Sequence, residues 1–275
     1  MTELIGYSFF TNALAGVLII AVATAMVGTY VMARRLAAIT GGITHACFGG
    51  LGLGYYLGVS PIAMAGVFAI GSSLIVEWMS ARYRVREDSA IAVVWSVGMA
   101  LGVLFVFLTP GFVPELNSFL FGNILNISSL DLWVFAIYTL LLGGFFAWKF
   151  REIVACAFDR DFARVAGLPV RFITLTMTVM VALCVVLSIR LVGIMMLMAV
   201  ISLPQMAAEV FCRRFGSIMW FSALISVAAG AGGLIMSTYI DVPCSALIVL
   251  LLGMVYVCSR VGKNLAASFK GKCRR

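Results

Sequence analysis

Basic residues in this chain occur in every other gap between its apolar stretches. Eighteen of the nineteen Lys and Arg residues follow the pattern, in five clusters. These are Arg34 and Arg35; Arg82, Arg84 and Arg86; Lys149, Arg151, Arg160, Arg164 and Arg171; Arg213 and Arg214; and Arg260, Lys263, Lys270, Lys272, Arg274 and Arg275. Arg190 alone departs from it. Short cytoplasmic loops of membrane proteins collect Lys and Arg, so the alternation predicts spans and orientation together. The expected fold is all-α: a polytopic transmembrane helical bundle with its N-terminus outside and its C-terminus inside.

Composition excludes the soluble alternatives. The chain is 63% hydrophobic and 11% charged, against roughly 25% charged for a soluble domain. Its net charge of +8 reflects topology and not nucleic-acid binding, because the basic residues are spread over several loops and line no single face. The first basic residue follows the first apolar stretch, so no secretory leader is expected. The seven cysteines have no CxxC spacing and read as small apolar fillers.

A bilayer core takes roughly 20 apolar residues per helix. That places spans at approximately 10–33, 43–58, 61–80, 90–109, 131–148, 172–190, 192–208, 217–237 and 244–261. Nine spans suit an outside N-terminus and an inside C-terminus. The chain, 1–275, forms a single transmembrane domain with no linker or soluble insert. Ser60 before Pro61 has the form of an N-cap followed by proline in the first helical turn.

The second span is unusual. From Thr44 to Gly58 it covers only about 22 Å, and the uncharged stretch ahead of it, Leu36 to Ile43, contains Gly41 and Gly42. A broken or re-entrant segment is expected, placing His45 within the membrane, since interrupted glycine-containing spans point to transport sites. Ala46, Gly50, Gly54 and Gly58 recur every four residues on one face. That face suits close helix contact through small residues, or a lining of exposed carbonyls, and either puts this helix at the centre of the bundle.

His45 is the only histidine, and an ionisable group inside a membrane defaults to a functional role. Imidazole suits divalent zinc, iron and manganese; a satisfied interhelical hydrogen bond is the other reading. Outside, Glu3, Glu115, Asp131 and Asp241 stand against Arg190 for a net −3, and the inner loops hold +11. An acidic outer mouth concentrates cations, although exclusion of positive charge by topology gives the same pattern. Met195, Met196 and Met198 could line a copper(I) path, but no Met-x-x-Met series follows one face. The chain has no G-x-x-x-x-G-K-[ST], no Ser, His and Asp constellation and no HExxH, so no enzymatic activity is expected of it.

The inner loop Phe158-Asp-Arg-Asp-Phe-Ala-Arg-Val-Ala-Gly-Leu-Pro-Val170 resembles the coupling segment in the membrane subunits of the metal-ion ABC transporters that serve zinc, manganese and iron uptake. Further matches are Glu87-Asp-Ser-Ala-Ile-Ala92 with Ala100-Leu-Gly102, Leu116-Asn-Ser-Phe-Leu-Phe-Gly122, Leu191-Val-Gly-Ile-Met195 with Ser202-Leu-Pro-Gln-Met-Ala-Ala208, and Tyr239-Ile-Asp-Val-Pro243. They follow the family's order through most of the chain. After Arg34 and Arg35, Thr40-Gly-Gly-Ile-Thr-His-Ala46 resembles the family signature Gly-Asp-Ala-Leu-Ser-His-Ala. His45 falls on its His, Gly41 stands in place of its Asp, and Gly49-Gly50 replaces the usual Pro-Gly.

The resemblance implies a metal ion as transported substrate and no permanently bound cofactor. It implies metal-ligand roles for His45, Asp241 and Glu115, with an outer access site as the alternative role of the last two. Segment 150–170 becomes a short coupling helix on a cytoplasmic ABC ATPase subunit, with Phe158, Asp161, Phe162, Ala163 and Gly167 in the contact, and Phe158 and Phe162 as anchors on one face. A second permease copy, an extracytoplasmic metal-binding protein and the bacterial cytoplasmic (inner) membrane complete the expected setting. The alternatives are an ABC permease for a chelate such as a siderophore or cobalamin, needing no His ligand, and an ion-coupled secondary carrier, which would show internal repeats with intramembrane acids.

Overall fold

A computed structural model describes residues 8–83, 85–110, 122 and 127–272. Among the described residues the regular structure is entirely helical: α1 (Ser8–Ala33), α2 (Ala37–Leu57), α3 (Pro61–Tyr83), α4 (Glu87–Leu108), α5 (Ser129–Phe158), α6 (Arg160–Val165), α7 (Val170–Phe211), α8 (Phe215–Ile240) and α9 (Cys244–Lys272). Seven stretches are long and apolar enough to cross a membrane; they lie in α1, α3, α4, α5, the first part of α7 (Val170–Ile194), α8 and α9. The two other expected spans are α2 and the shorter apolar stretch Met196–Phe211.

The chain enters and leaves these helices where its local chemistry requires. Ser60 Oγ accepts from the Ala63 amide at 3.4 Å and caps α3 ahead of Pro61, as the sequence predicts. Ser128 and Asp131 form a reciprocal capping box at the start of α5, satisfying two amides that the first turn leaves unpaired. At the end of α2, Gly58 takes φ 67°, and the Gly58 and Val59 amides donate back to Tyr55 and Gly54. A residue without Cβ adopts this left-handed cap at no steric cost.

The expected break in the second span is not there. α2 starts at Ala37 and runs unbroken through Gly41 and Gly42 for 21 residues, about 31 Å and enough to cross the ~30 Å core. Glycine here serves contact between neighbours and does not interrupt the helix. A Cβ on Gly50 would lie 2.7 Å from Ala65 Cα and one on Gly54 2.6 Å from Pro61 Cα, both in α3. On the α4 side, a Cβ on Gly98 would lie 2.5 Å from Ala46 Cα, and one on Gly102 2.6 Å from the Phe48 carbonyl oxygen. The small-residue row therefore brings backbone against backbone.

The expected pair of spans 172–190 and 192–208 falls on α7, which leaves helical geometry at Gly193 (φ 77°, ψ 169°), a region essentially confined to glycine. Gly122 abuts this break, so close that an added Cβ would lie 2.5 Å from the Val192 carbonyl carbon. α1, α2 and the first part of α7 are the inner helices: 14 residues of α2 are buried, and burial of the apolar window is 67% in α1 and 56% in Val170–Ile194, against 11–33% in the other spans. α2 thus lies at the centre, held by α3, α4 and α7.

Candidate functional site

His45 sits in the middle of α2, with its imidazole flat on the Trp95 ring of α4: centroids are 4.4 Å apart and the planes 8° from parallel. Phe48 lies on the same helix at 6.4 Å. Nδ1 is buried and has no hydrogen-bond partner, so the reading of His45 as a satisfied interhelical donor through that atom finds no counterpart. One turn earlier, the room a Gly41 side chain would fill is taken by α7 and α4. A Cβ there would lie 2.7 Å from Met198 Cε, 3.2 Å from its Sδ and 3.7 Å from Trp95. Thr40 and Thr44 turn their hydroxyls to their own helix, onto the Ala37 and Thr40 carbonyls. The imidazole thus lies flat on an aromatic wall, with the Met198 thioether one turn away beside Gly41.

The other candidate ligands lie elsewhere. Asp241 is exposed and caps α8 in the left-handed conformation (φ 57°, ψ 45°). α8 has its main contacts with α1, α7 and α9, whereas α2 has its own with α3, α4 and α7, so the structure does not join Asp241 to His45. Glu115 lies outside the described residues. Among the described residues, no three His, Cys, Asp or Glu side chains gather where they could hold a metal ion.

The segment 150–170, expected to form a coupling helix, differs in detail from that expectation. Residues 150–158 form the last part of α5 beyond a kink at Lys149 (φ −118°, ψ 24°), and α6 is a separate six-residue helix capped by Asp159, whose carboxylate accepts from the Asp161 and Phe162 amides at 2.9 Å. This cap separates Phe158 from Phe162, so the two rings do not share one helix face: Phe158 ends α5 and meets Phe215 edge-on at 6.4 Å. Both rings are nevertheless exposed. Ala163 is fully buried, Asp161 pairs with Arg164 in solvent at 3.0 Å, and Gly167 makes the turn out of α6 at φ 75°.

Two features escaped the sequence reading. Gln205 is fully buried in α7; its amide donates to the Thr24 carbonyl at 3.1 Å, while its Oε1 has no partner. An amide beside Pro204 in an apolar helix was the available signal. The second is a closed ring of charge at the basic end of the bundle. Arg34, in the α1–α2 turn, lies 3.0 Å from Glu87 and 3.8 Å from Glu77. Arg160 of α6 lies 3.2 Å from Glu77 and 3.3 Å from Glu87. Burial works against the Arg34 charge, but the Tyr30 hydroxyl and the Glu87 and Glu77 carboxylates outweigh it and raise its pKa. Glu77, an acid inside the apolar run of α3, was the clue that a buried partner existed.

At the opposite end Arg190, the exception to the basic pattern, pairs with Asp131 of the α5 capping box. Of the acids expected at the outer mouth, Asp131 is therefore already paired with a cation.

The fold and the sequence agree with known proteins along nearly the whole chain. A probable metal transport system membrane protein of Chlamydia pneumoniae is 34% identical over 244 residues, covering 86% of this chain and 83% of that one. The manganese transport system membrane protein of Halalkalibacterium halodurans is 27% identical, covering 92% and 87%. Among solved structures, PsaBC from Streptococcus pneumoniae in complex with Fab superposes with a TM-score of 0.82 at 23% identity, covering 94% of this chain and 93% of that one, a likeness of fold. The family model described as the ABC 3 transport family matches residues 6–263. This chain is a multi-pass membrane protein and belongs to the ABC 3 transport family.

Proposed function

We propose that the protein is the permease subunit of an ABC importer that moves a divalent transition-metal ion (manganese, iron or zinc) into the cytoplasm, with ATP hydrolysed by a separate subunit. His45 carries the reading: the chain's one imidazole is half-buried against Trp95, and its buried Nδ1 has no hydrogen-bond partner. A neutral imidazole nitrogen in that position binds such an ion, and a site with few charges releases it again, as conduction requires. The charge alternation supports an outside N-terminus and an inside C-terminus, and the bacterial relatives support the bacterial inner membrane. α6, with exposed Phe158 and Phe162 nearby, then faces the cytoplasm and seats in a groove of the ATPase. A second permease copy across the path and an extracytoplasmic metal-binding protein complete the assembly, and Asp241 and Glu115 serve the outer access route.

Uptake of manganese, iron and zinc isotopes by His45→Ala, at matched membrane abundance, tests the assignment. A fall in uptake with unchanged abundance is expected. Unchanged transport of every metal would favour a permease for a chelate, which needs no imidazole.

A further inference from the structure

The ring formed by Arg34, Glu77, Glu87 and Arg160 joins parts of the chain that are otherwise held together by apolar contact. Each guanidinium touches both carboxylates, so the four charges alternate and sum to zero. They come from the α1–α2 turn, α3, the first residue of α4 and the first residue of α6. Side-chain exposure is 5% for Arg34, 17% for Glu77, 25% for Glu87 and 27% for Arg160, so the ring is sheltered from competing water and salt.

Position gives the ring its meaning. α6 lies against its chain neighbours α5 and α7, and Arg160 carries it across to α3 and α4. Arg34 stands three residues ahead of α2, in a turn where Arg35 adopts φ 59° and the Arg35 and Leu36 amides donate back into α1 at 2.9 Å. Glu87 opens α4. α2 and α4 are the helices that carry His45 and Trp95. Apolar surfaces slide past one another at little cost, whereas charge-assisted bonds near 3 Å resist displacement in every direction.

We infer that Arg160 is a positioning residue: through Glu77, Glu87 and Arg34 it passes movement of α6 to α3, α4 and the start of α2, and so to His45 and Trp95. This rests on the proposed function, in which an ATPase acts on α6. A ring that only stabilised the fold would affect abundance and leave the coupling between ATP and metal untouched.

The test uses the permease with its ATPase subunit in proteoliposomes and reads radioactive manganese taken up per ATP hydrolysed. Arg160→Gln with Glu77→Gln detaches α6 while leaving the Arg34–Glu87 pair, with no unmatched charge. ATPase association and hydrolysis are expected to persist while manganese per ATP falls by roughly tenfold; an unchanged ratio overturns the inference. In a background without the native cysteines, Arg160→Cys with Glu77→Cys supplies a second measurement. Joining the two thiols with a bis-methanethiosulfonate reagent is expected to restore the ratio, and failure to restore it counts against the ring. Absence of ATP-dependent uptake in the unaltered protein would instead overturn the permease reading, and this inference with it.

Discussion

The middle of the bundle and its basic end solve the same problem by opposite means. Around α2, helices are joined by the removal of atoms: glycines let α3 and α4 approach until backbone meets backbone, and the His45 imidazole is held by flat contact with Trp95. At the basic end, helices are joined by added charge, four long side chains closing a neutral ring. Hydrocarbon supplies no hydrophobic force between helices, so shape must do the joining there. Nearer water, charges can be brought together provided each is matched. The middle is therefore vulnerable to enlargement and the end to imbalance.

Unbalancing the ring is expected to do the most harm. Arg34→Ala leaves two carboxylates facing Arg160 alone, and breaking a buried ionic set from one side costs about 3–5 kcal/mol. Arg34→Gln combined with Glu87→Gln should cost much less, a difference that thermal unfolding of the purified protein will resolve. Equal losses would show that imbalance is not what governs this end.

Enlarging the middle ranks next. Gly50→Leu drives a side chain into the α3 backbone and should cost about 1–3 kcal/mol, seen as lower membrane abundance and a lower unfolding temperature. Gly66→Ala is the control, since its Cβ would meet only Val186 at 3.9 Å. If both substitutions behave alike, close approach is not what holds α2.

The smallest effect sharpens the comparison at the end opposite the ring. Ser128→Ala removes half of the α5 capping box and should cost about 1 kcal/mol. Uptake and manganese per ATP should stay unchanged, because this cap touches neither the His45 walls nor α6.

How much could be read beforehand follows the same division. Seven of the nine expected spans, the shorter apolar stretch Met196–Phe211 and the Ser60–Pro61 helix start were legible, because each rests on local pattern, as was the row of small residues that buries α2. Continuity of α2 was not. Gly41 and Gly42 look the same in a sequence whether they end a helix or admit Met198 and Ile91 against it; only the neighbours decide. The Phe158–Phe162 spacing suggested one face, and the Asp159 cap, a single residue in extended conformation, separated them. His45 stood out as the lone histidine, but its stacking on Trp95 depends on how α4 is placed. The ring was least visible, since its hydrogen-bonded partners lie 53 and 83 residues apart. Counting charges by loop assigns them all to one side and pairs none.

The Arg190–Asp131 pair bears on biogenesis. In the proposed orientation Arg190 is the one cation that must be carried to the outer face as the chain inserts, at a cost of roughly 2.5–3.5 kcal/mol for an arginine at mid-membrane. Its partner arrives first, at the outer start of α5 and ahead of α7 in the order of synthesis, so a fixed anion awaits the arginine where the helix emerges. An exception to the charge rule thereby becomes a tie between α7 and the start of α5.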